Sequence, residues 1–512
     1  MILKRLRLFF GILSLLLLTF LFIDFAGLLP AGKVPLADIQ IVPALMAHSF
    51  LIVAVILLFT LLFGRLYCSI ICPMGLFQDL TSRVSKLFKK KRKYIFSPEK
   101  RWLRYGSLLA VLGTYFAGWT VLLSLLEPYS AYGRMATHLL RPLYMAGNNL
   151  MASVFNHFGN YTFYHVEVFL LGASSLVVAL LTFLFIGYLA WRFGRTYCNT
   201  LCPVGTVLGF LSRYSMFRFK VHEESCNQCG VCARNCKASC IDSKLETVDN
   251  SRCVTCFNCT TVCTKKAIRY EFSWKKNRLD VDESNGSEVS KEKSRRRFLT
   301  TLGVTVLAAG GHVWAKGMHL GTNKPWIRKS PLSPPGSIST EHLNSHCTAC
   351  HLCVDQCPSR ILKPSFLEYG VGGMMQPVMD FSHGFCNYDC TLCTEVCPND
   401  ALKKLTMDEK HATQMGIVHF IKTNCVVYTD ETFCGACSEH CPTQAVHMVP
   451  YKGDLTIPAL NTAICVGCGG CEYICPAKPA KAIYVEGNPV HLKAEKFVES
   501  NKEEVNVDSF GF

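Results

Sequence analysis

Hydrophobic and polar positions divide this chain sharply. Its N-terminal part holds four nearly unbroken apolar stretches, near Leu6–Leu29, Ala44–Phe63, Tyr105–Leu126 and Val166–Trp191. Each is about the length a helix needs to cross a bilayer, roughly 20 residues. Short basic segments flank them, and beyond the fourth the apolar runs shorten and cysteines take over. The pattern predicts a membrane α-helical unit of four spans followed by small, cysteine-organised domains.

Charge sets the expected orientation. Lys4, Arg5 and Arg7 open the first stretch, Lys89 to Lys93 lie in the loop from Arg65 to Arg104, and Arg192 to Lys220 is basic again. On the other side the first loop has Lys33, and the second, Glu127 to His165, has Arg134 and Arg141. Positive residues collect on the cytoplasmic side, which places both ends of this unit there. The same placement accounts for much of the formal net charge of +16 without invoking nucleic acid. With 512 residues, half of them hydrophobic, the chain is long enough for several domains and too apolar for an ordinary soluble one.

The spans contain a repeat. The second ends in Gly64-Arg65-Leu66-Tyr67-Cys68-Ser69-Ile70-Ile71-Cys72-Pro73-Met74-Gly75, and the fourth in Gly194-Arg195-Thr196-Tyr197-Cys198-Asn199-Thr200-Leu201-Cys202-Pro203-Val204-Gly205. Two helices and one G-R-x-Y-C-x3-C-P-x-G motif make each unit, so the two motifs should meet at the inner face. Cysteines four apart share one face of a helix. Cys68, Cys72, Cys198 and Cys202 are candidates for a thiol–disulfide couple, a four-thiolate metal site, or a packing device.

Twenty-nine cysteines are present, and most recur in tight blocks rather than in the scattered pattern of a disulfide scaffold. Cys226, Cys229, Cys232, Cys236 and Cys253, Cys256, Cys259, Cys263 have the spacing of a two-cluster bacterial ferredoxin. In such a module three cysteines of one block and the fourth of the other hold each 4Fe–4S cluster. That assigns Cys226, Cys229, Cys232 and Cys263 to one cluster, and Cys253, Cys256, Cys259 and Cys236 to the other. Lys237 and Thr264 replace the usual prolines, and Cys240 is an extra thiol placed to substitute for Cys236. Zinc sites use pairs of C-x2-C instead.

Four further blocks, each closing on Cys-Pro, follow. They are Cys347, Cys350, Cys353, Cys357; Cys386, Cys390, Cys393, Cys397; Cys425, Cys434, Cys437, Cys441; and Cys465, Cys468, Cys471, Cys475. They account for four more clusters, six in all. By analogy with other four-cluster subunits, the first block is expected to share cysteines with the fourth, and the second with the third. Cys347 to His351 also satisfies the C-x-x-C-H haem pattern, but haem there would strand Cys353 and Cys357. The Met-rich loop from Gly372 to Met379 is either a docking surface or a cover over a cluster.

Between the two cysteine regions lies Ser294-Arg295-Arg296-Arg297-Phe298-Leu299-Thr300, which matches a twin-arginine export signal except at Thr300. The expected organisation is a membrane unit over 1–221, a two-cluster ferredoxin over 222–272, and a linker with the twin arginines over 273–297. A fifth, signal-anchor-like helix over 298–315, a spacer over 316–340, an exported four-cluster ferredoxin over 341–490 and a charged tail over 491–512 complete it. Both ferredoxin domains are expected to be α+β, and Val313-Trp314-Ala315 is a candidate cleavage site. His48, Arg134, His138 and His165 lie at the outer ends of spans or in the outer loop, where they are candidates for binding a quinol headgroup.

These motifs carry a resemblance. Residues 1–272 resemble the NapH-type membrane ferredoxins and the related membrane domains of NosR and CcoG, and residues 294–490 resemble the NapG-type exported ferredoxins. The chain thus looks like a fusion of the two types. The resemblance implies a multi-pass protein of the bacterial cytoplasmic (inner) membrane whose C-terminal ferredoxin faces the periplasm. It implies electron transfer from the quinone pool to a periplasmic reductase or its electron-carrier subunit, through a quinol dehydrogenase-type component without a substrate-reducing site. An assembly or maintenance factor reducing metals or thiols, and a redox sensor, are the competing readings. A hydrocarbon layer of about 30 Å is expected to separate the two cluster sets.

Overall fold

A computed structural model describes residues 2–28, 36–88, 94–169, 171–273 and 328–495. The twin-arginine motif, the signal-anchor-like helix and most of the charged tail lie outside these residues.

The four apolar stretches are helical, but among the described residues only two helices are long and apolar enough to cross a membrane: α1 (Ile2–Ile23) and α10 (Ala173–Phe193). The second stretch is broken into α2 (Ile41–Met46) and α3 (Phe50–Phe63), because His48 between them takes φ 55°, a left-handed conformation no helix continues through. The third is broken into α6 (Arg101–Phe116) and α7 (Val121–Leu126), with Gly118 at φ 81°. Their outward faces are apolar: Leu16, Leu51, Leu58, Leu109, Leu181 and Leu184 are all exposed.

Short helices α4 (Tyr67–Ile70) and α11 (Thr196–Thr200) carry the duplicated motif, followed by α5 (Pro73–Phe88) and α12 (Pro203–Ser212). Pro73 and Pro203 open their helices, where the missing N–H costs nothing.

The expected outer loop from Glu127 to His165 is not a loop over most of its length. It forms α8 (Pro128–Met135), a π-turn at Ala136–Leu140 and α9 (Arg141–His157), and every residue of α8 is buried. Glu127 caps α8 by accepting from the Tyr129 and Ser130 amides, with Pro128 in the first turn. That Glu-Pro pair is a helix start signal, outweighed in the sequence by the polar composition around it.

The two-block unit is closed by an antiparallel pair, β1 (Phe217–Val221) with β4 (Ile268–Phe272), around α13 (Val231–Asn235), the short pair β2 (Ile241–Asp242) and β3 (Thr247–Val248), and α14 (Asn258–Val262). The four-block unit begins with β5 (Leu362–Pro364) paired to β6 (Pro377–Met379). Its second half repeats the plan of the two-block unit. There β7 (Thr413–Phe420) and β10 (Ile483–Lys493) close around the hairpin β8 (Val446–Lys452) and β9 (Leu455–Leu460).

The helical unit is held between the other two. At one end Arg195 donates its backbone N–H to Lys237 O at 2.9 Å and Tyr94 donates its own to Arg234 O at 3.0 Å. At the other, Gln356 donates to Leu21 O at 3.2 Å and Ser130 Oγ donates to Thr348 Oγ1 at 2.7 Å.

Candidate metal centres

Each cysteine block wraps back on itself, and its fourth cysteine reaches a neighbouring block. In the two-block unit, Cys232 has Cys263, Cys226 and Cys229 as its charged neighbours. Cys253, Cys256, Cys259 and Cys236 line a pocket of about 330 Å³ walled by Phe219, Ile241 and Val248. Cys240 lines it too, its Sγ 3.5 Å from Cys236 Sγ. The hydrogen bond from Cys240 lowers the Cys236 thiol to about 7, while Cys240 is pushed up.

In the four-block unit, Cys347, Cys350, Cys353 and Cys397 line a pocket of about 360 Å³. Cys425, Cys434, Cys437 and Cys475 line another of about 310 Å³. Cys393 has Cys386, Cys357 and Cys390 around it, and Cys471 has Cys468, Cys465 and Cys441. The first block therefore shares cysteines with the second, and the third with the fourth. This corrects the expectation of first with fourth and second with third. The reason is local packing: the turns Leu352–Asp355 and Leu392–Glu395 lie against each other, as do Ala436–Glu439 and Gly470–Ile474. Consecutive blocks close a short loop, whereas first-to-fourth pairing closes a long one at greater entropic cost. The insertions in blocks two and three widen loops without changing partners.

None of the 29 cysteines is in a disulfide. Among the described residues no three His, Cys, Asp or Glu side chains close on one point as ligands of a single ion do. Zinc requires four donors about 2 Å from one centre, whereas thiolates at the corners of an iron–sulfur cube stand wider apart. Four-cysteine groups around apolar pockets fit 4Fe–4S clusters. His351, the histidine of the haem-like pattern, has both ring nitrogens engaged: Nδ1 with His138 Nε2 at 2.8 Å and Nε2 with Met375 O at 2.9 Å.

The seam between the helical unit and the first block gathers three of the four candidate quinol residues. Arg134 donates to Ala349 O at 3.0 Å and to Ser124 O at 2.8 Å, so its guanidinium docks the two units. His138 is buried against His351, and Arg141 pairs with Asp355 at 2.8 Å. His48 lies 5.8 Å, centroid to centroid, from His346, which stacks on His342. His165 does not join them; it is on an exposed stretch, 3.5 Å from Ser153 Oγ. The Met-rich loop belongs to the same seam, with Thr120 Oγ1 3.4 Å from Gly372 O and Met375 buried. His346 gave no signal in the sequence, and His351 stood out only as the histidine of the haem-like pattern.

The two G-R-x-Y-C-x3-C-P-x-G motifs meet about an approximate twofold. Arg65 Nη2 donates to Cys198 O at 3.0 Å, and Arg195 Nη1 donates to Cys68 O at 2.7 Å. Arg65 and Arg195 are among the largest fully buried side chains in the protein. Each glycine closing a motif is obligatory: a Cβ on Gly75 would lie 2.2 Å from Cys68 O, and one on Gly205 2.2 Å from Cys198 O. Asp79, on α5, receives Arg195 at 2.8 Å, Lys237 of the two-block unit at 3.2 Å, and Arg7 of α1.

An unbroken apolar layer does not separate the two cysteine regions. Tyr197 donates to Leu126 O at 2.8 Å, and a Cβ on Gly133 would lie 2.6 Å from Cys350 O. The buried motif, Glu127 and α8 thus fill the span between the two-block unit and the first block.

Comparison with known proteins agrees with the chemistry of the cysteines. A model described as a 4Fe–4S binding domain matches residues 45–94 and 173–222, and one described as a 4Fe–4S dicluster domain matches 432–479. The chain is 27% identical over 157 residues to the ferredoxin-type protein NapF of Escherichia coli K12, covering 31% of this chain and 87% of that protein. It is 29% identical over 197 residues to the ferredoxin-type protein NapG of the same organism, covering 36% of this chain and 82% of NapG. To the putative electron transport protein YccM, also of E. coli K12, it is 28% identical over 224 residues, covering 43% of this chain and 55% of YccM. No solved structure matches the chain. The chain therefore carries 4Fe–4S ferredoxin domains and has an iron–sulfur electron-transfer function.

Proposed function

We propose that this protein is a membrane-bound relay that takes electrons from the quinol pool and delivers them, through six 4Fe–4S clusters, to a periplasmic reductase. The single observation that carries the reading is the seam, where buried side chains hold the first block against the helical unit. Four spans with the duplicated motifs, two of them bent at His48 and Gly118, form the membrane part, and the exposed leucines face lipid. The twin arginines address the four-block unit to the periplasm. Bound clusters supply one-electron transfer.

The residues of the chain do the rest. Apolar walls line the cysteine groups, and Cys240 stands beside Cys236, sulfur to sulfur at 3.5 Å. At the seam, His48 and His346 face each other within the reach of a quinol headgroup and receive its two protons as its two electrons leave singly. Arg134 and Arg141 fix the first block in place. A thiol-exchange role for Cys68, Cys72, Cys198 and Cys202 is disfavoured by their burial, each 3% exposed or less.

The test is anaerobic reduction of the full chain in detergent by a menaquinol analogue, followed by bleaching of cluster absorption. His48→Ala and His346→Ala should slow bleaching by about 100-fold, the usual worth of a positioned proton acceptor, while dithionite reduction stays intact. No quinol-driven bleaching in the wild-type chain, or unchanged rates in both variants, would refute the proposal.

A further inference from the structure

We infer that Cys68, Cys72, Cys198 and Cys202 together hold one more iron–sulfur cluster, shared by the two repeats and lying between the two-block unit and the first block of the four-block unit. It deepens the electron-relay reading and rests on it, but its test does not need quinol.

Four features of the motif point to a bound anionic centre rather than to packing. First, the two cysteine pairs converge: one guanidinium nitrogen, Arg65 Nη2, lies 3.9 Å from Cys68 Sγ and 3.0 Å from Cys198 O, and Gln78, on the helix that follows Cys72, reaches Cys198 Sγ. None is paired in a disulfide. Second, the cage is supplied with donors. Gln78 Nε2 lies 3.1 Å from Cys198 Sγ, the Gly205 amide 3.3 Å from Cys202 Sγ, and Arg65 Nη2 3.9 Å from Cys68 Sγ. Cys202 caps α12, so the positive end of that helix faces a sulfur.

Third, two guanidinium groups are fully buried beside it, crossing from each repeat to the other. Asp79 answers Arg195 but is shared with Lys237 and Arg7, so the buried cations here outnumber that carboxylate, and four thiolates on an iron–sulfur core would supply the missing negative charge. Arg65 Nε and Arg195 Nη2 have no hydrogen-bond partner among the described residues, although both side chains are buried. Buried donors of this kind call for an acceptor. Fourth, the obligatory Gly75 and Gly205 bring each helix start against the cysteine carbonyl of its own repeat, beside the guanidinium of the other. That closeness draws the two cysteine pairs together.

The position suits transfer between the two cysteine regions. On one side, Asn199 Nδ2 donates to Ala238 O at 3.3 Å and Arg65 Nη1 to Ser251 O at 3.3 Å, both next to the group that includes Cys236 and Cys253. On the other, Tyr197 donates to Leu126 O, and Arg134 donates to Ala349 O, next to Cys350. Such a centre takes one electron and passes one electron on; no bond is made or broken.

The full chain, purified anaerobically in detergent, is assayed for iron, acid-labile sulfide and zinc, and by electron paramagnetic resonance after dithionite reduction. A four-iron cube here gives about 28 irons per chain and a two-iron centre about 26, against about 24 for the six other groups. Cys68→Ser and Cys198→Ser should each lower the iron by that same increment and remove one signal, the others remaining. Wild-type iron of about 24, unchanged iron in the variants, one zinc per chain lost with either cysteine, or a Cys68 or Cys198 disulfide would each overturn the assignment. If the variants fail to accumulate, the wild-type iron count decides alone.

Discussion

Asp79 is the point at which three parts of the molecule are tied by charge, and Asp79→Asn tests whether that tie holds them together. The substitution keeps the shape and leaves Arg7, Arg195 and Lys237 buried without a carboxylate. At an effective dielectric near 20, the Arg195 pair at 2.8 Å and the Lys237 pair at 3.2 Å are worth about 6 and about 5 kcal/mol of gross attraction. Desolvation offsets most of this, and breaking a buried pair costs a net of about 3–5 kcal/mol. For a cooperative unit of this size the loss corresponds to a fall in melting temperature on the order of 10 °C. The assay is thermal unfolding of the full chain in detergent, with limited proteolysis to show release of the two-block unit. Lys237→Met, alone and combined with Asp79→Asn, completes a double-mutant cycle. Additive effects in the cycle, or a midpoint within a degree or two of the wild type, would refute the reasoning.

Three further outcomes are expected. Gly75→Ala and Gly205→Ala each force a Cβ against a backbone oxygen that cannot move aside, costing about 3 kcal/mol or more; wild-type accumulation and melting of both variants would contradict this. Cys475→Ser and Cys437→Ser should remove the same paramagnetic signal and Cys468→Ser a different one, since Cys475 shares a pocket with Cys437; matched losses for Cys475 and Cys468 would restore pairing within a block. Burial beside Ser333 and Ser337 lowers His491 to about 4. The unfolded chain then binds a proton that the folded chain does not, between roughly pH 6.5 and 4. Stability is full above that window and falls by up to about 3 kcal/mol as pH drops through it; His491→Gln should flatten this part of the melting-temperature profile, and an unaltered slope would exclude His491 as its source.

The sequence by itself determined the chemistry of the cysteine blocks, because ligand spacing within a block is a local property of a few residues and a loop. It also marked the four apolar stretches, and it showed the duplicated motif in full, down to the glycines that later prove obligatory. Tertiary structure alone decided which blocks are partners, because that depends on which turns pack together and how long a loop must close. It decided as well that His48 and Gly118 break two helices, that Glu127 starts a buried helix where a loop was expected, and that Asp79 gathers three cations from two units. His346 meets His48, and His351 meets His138, only when the first block docks on the helical unit. Local spacing fixes what a thiolate can bind, whereas long-range packing fixes what stands next to it.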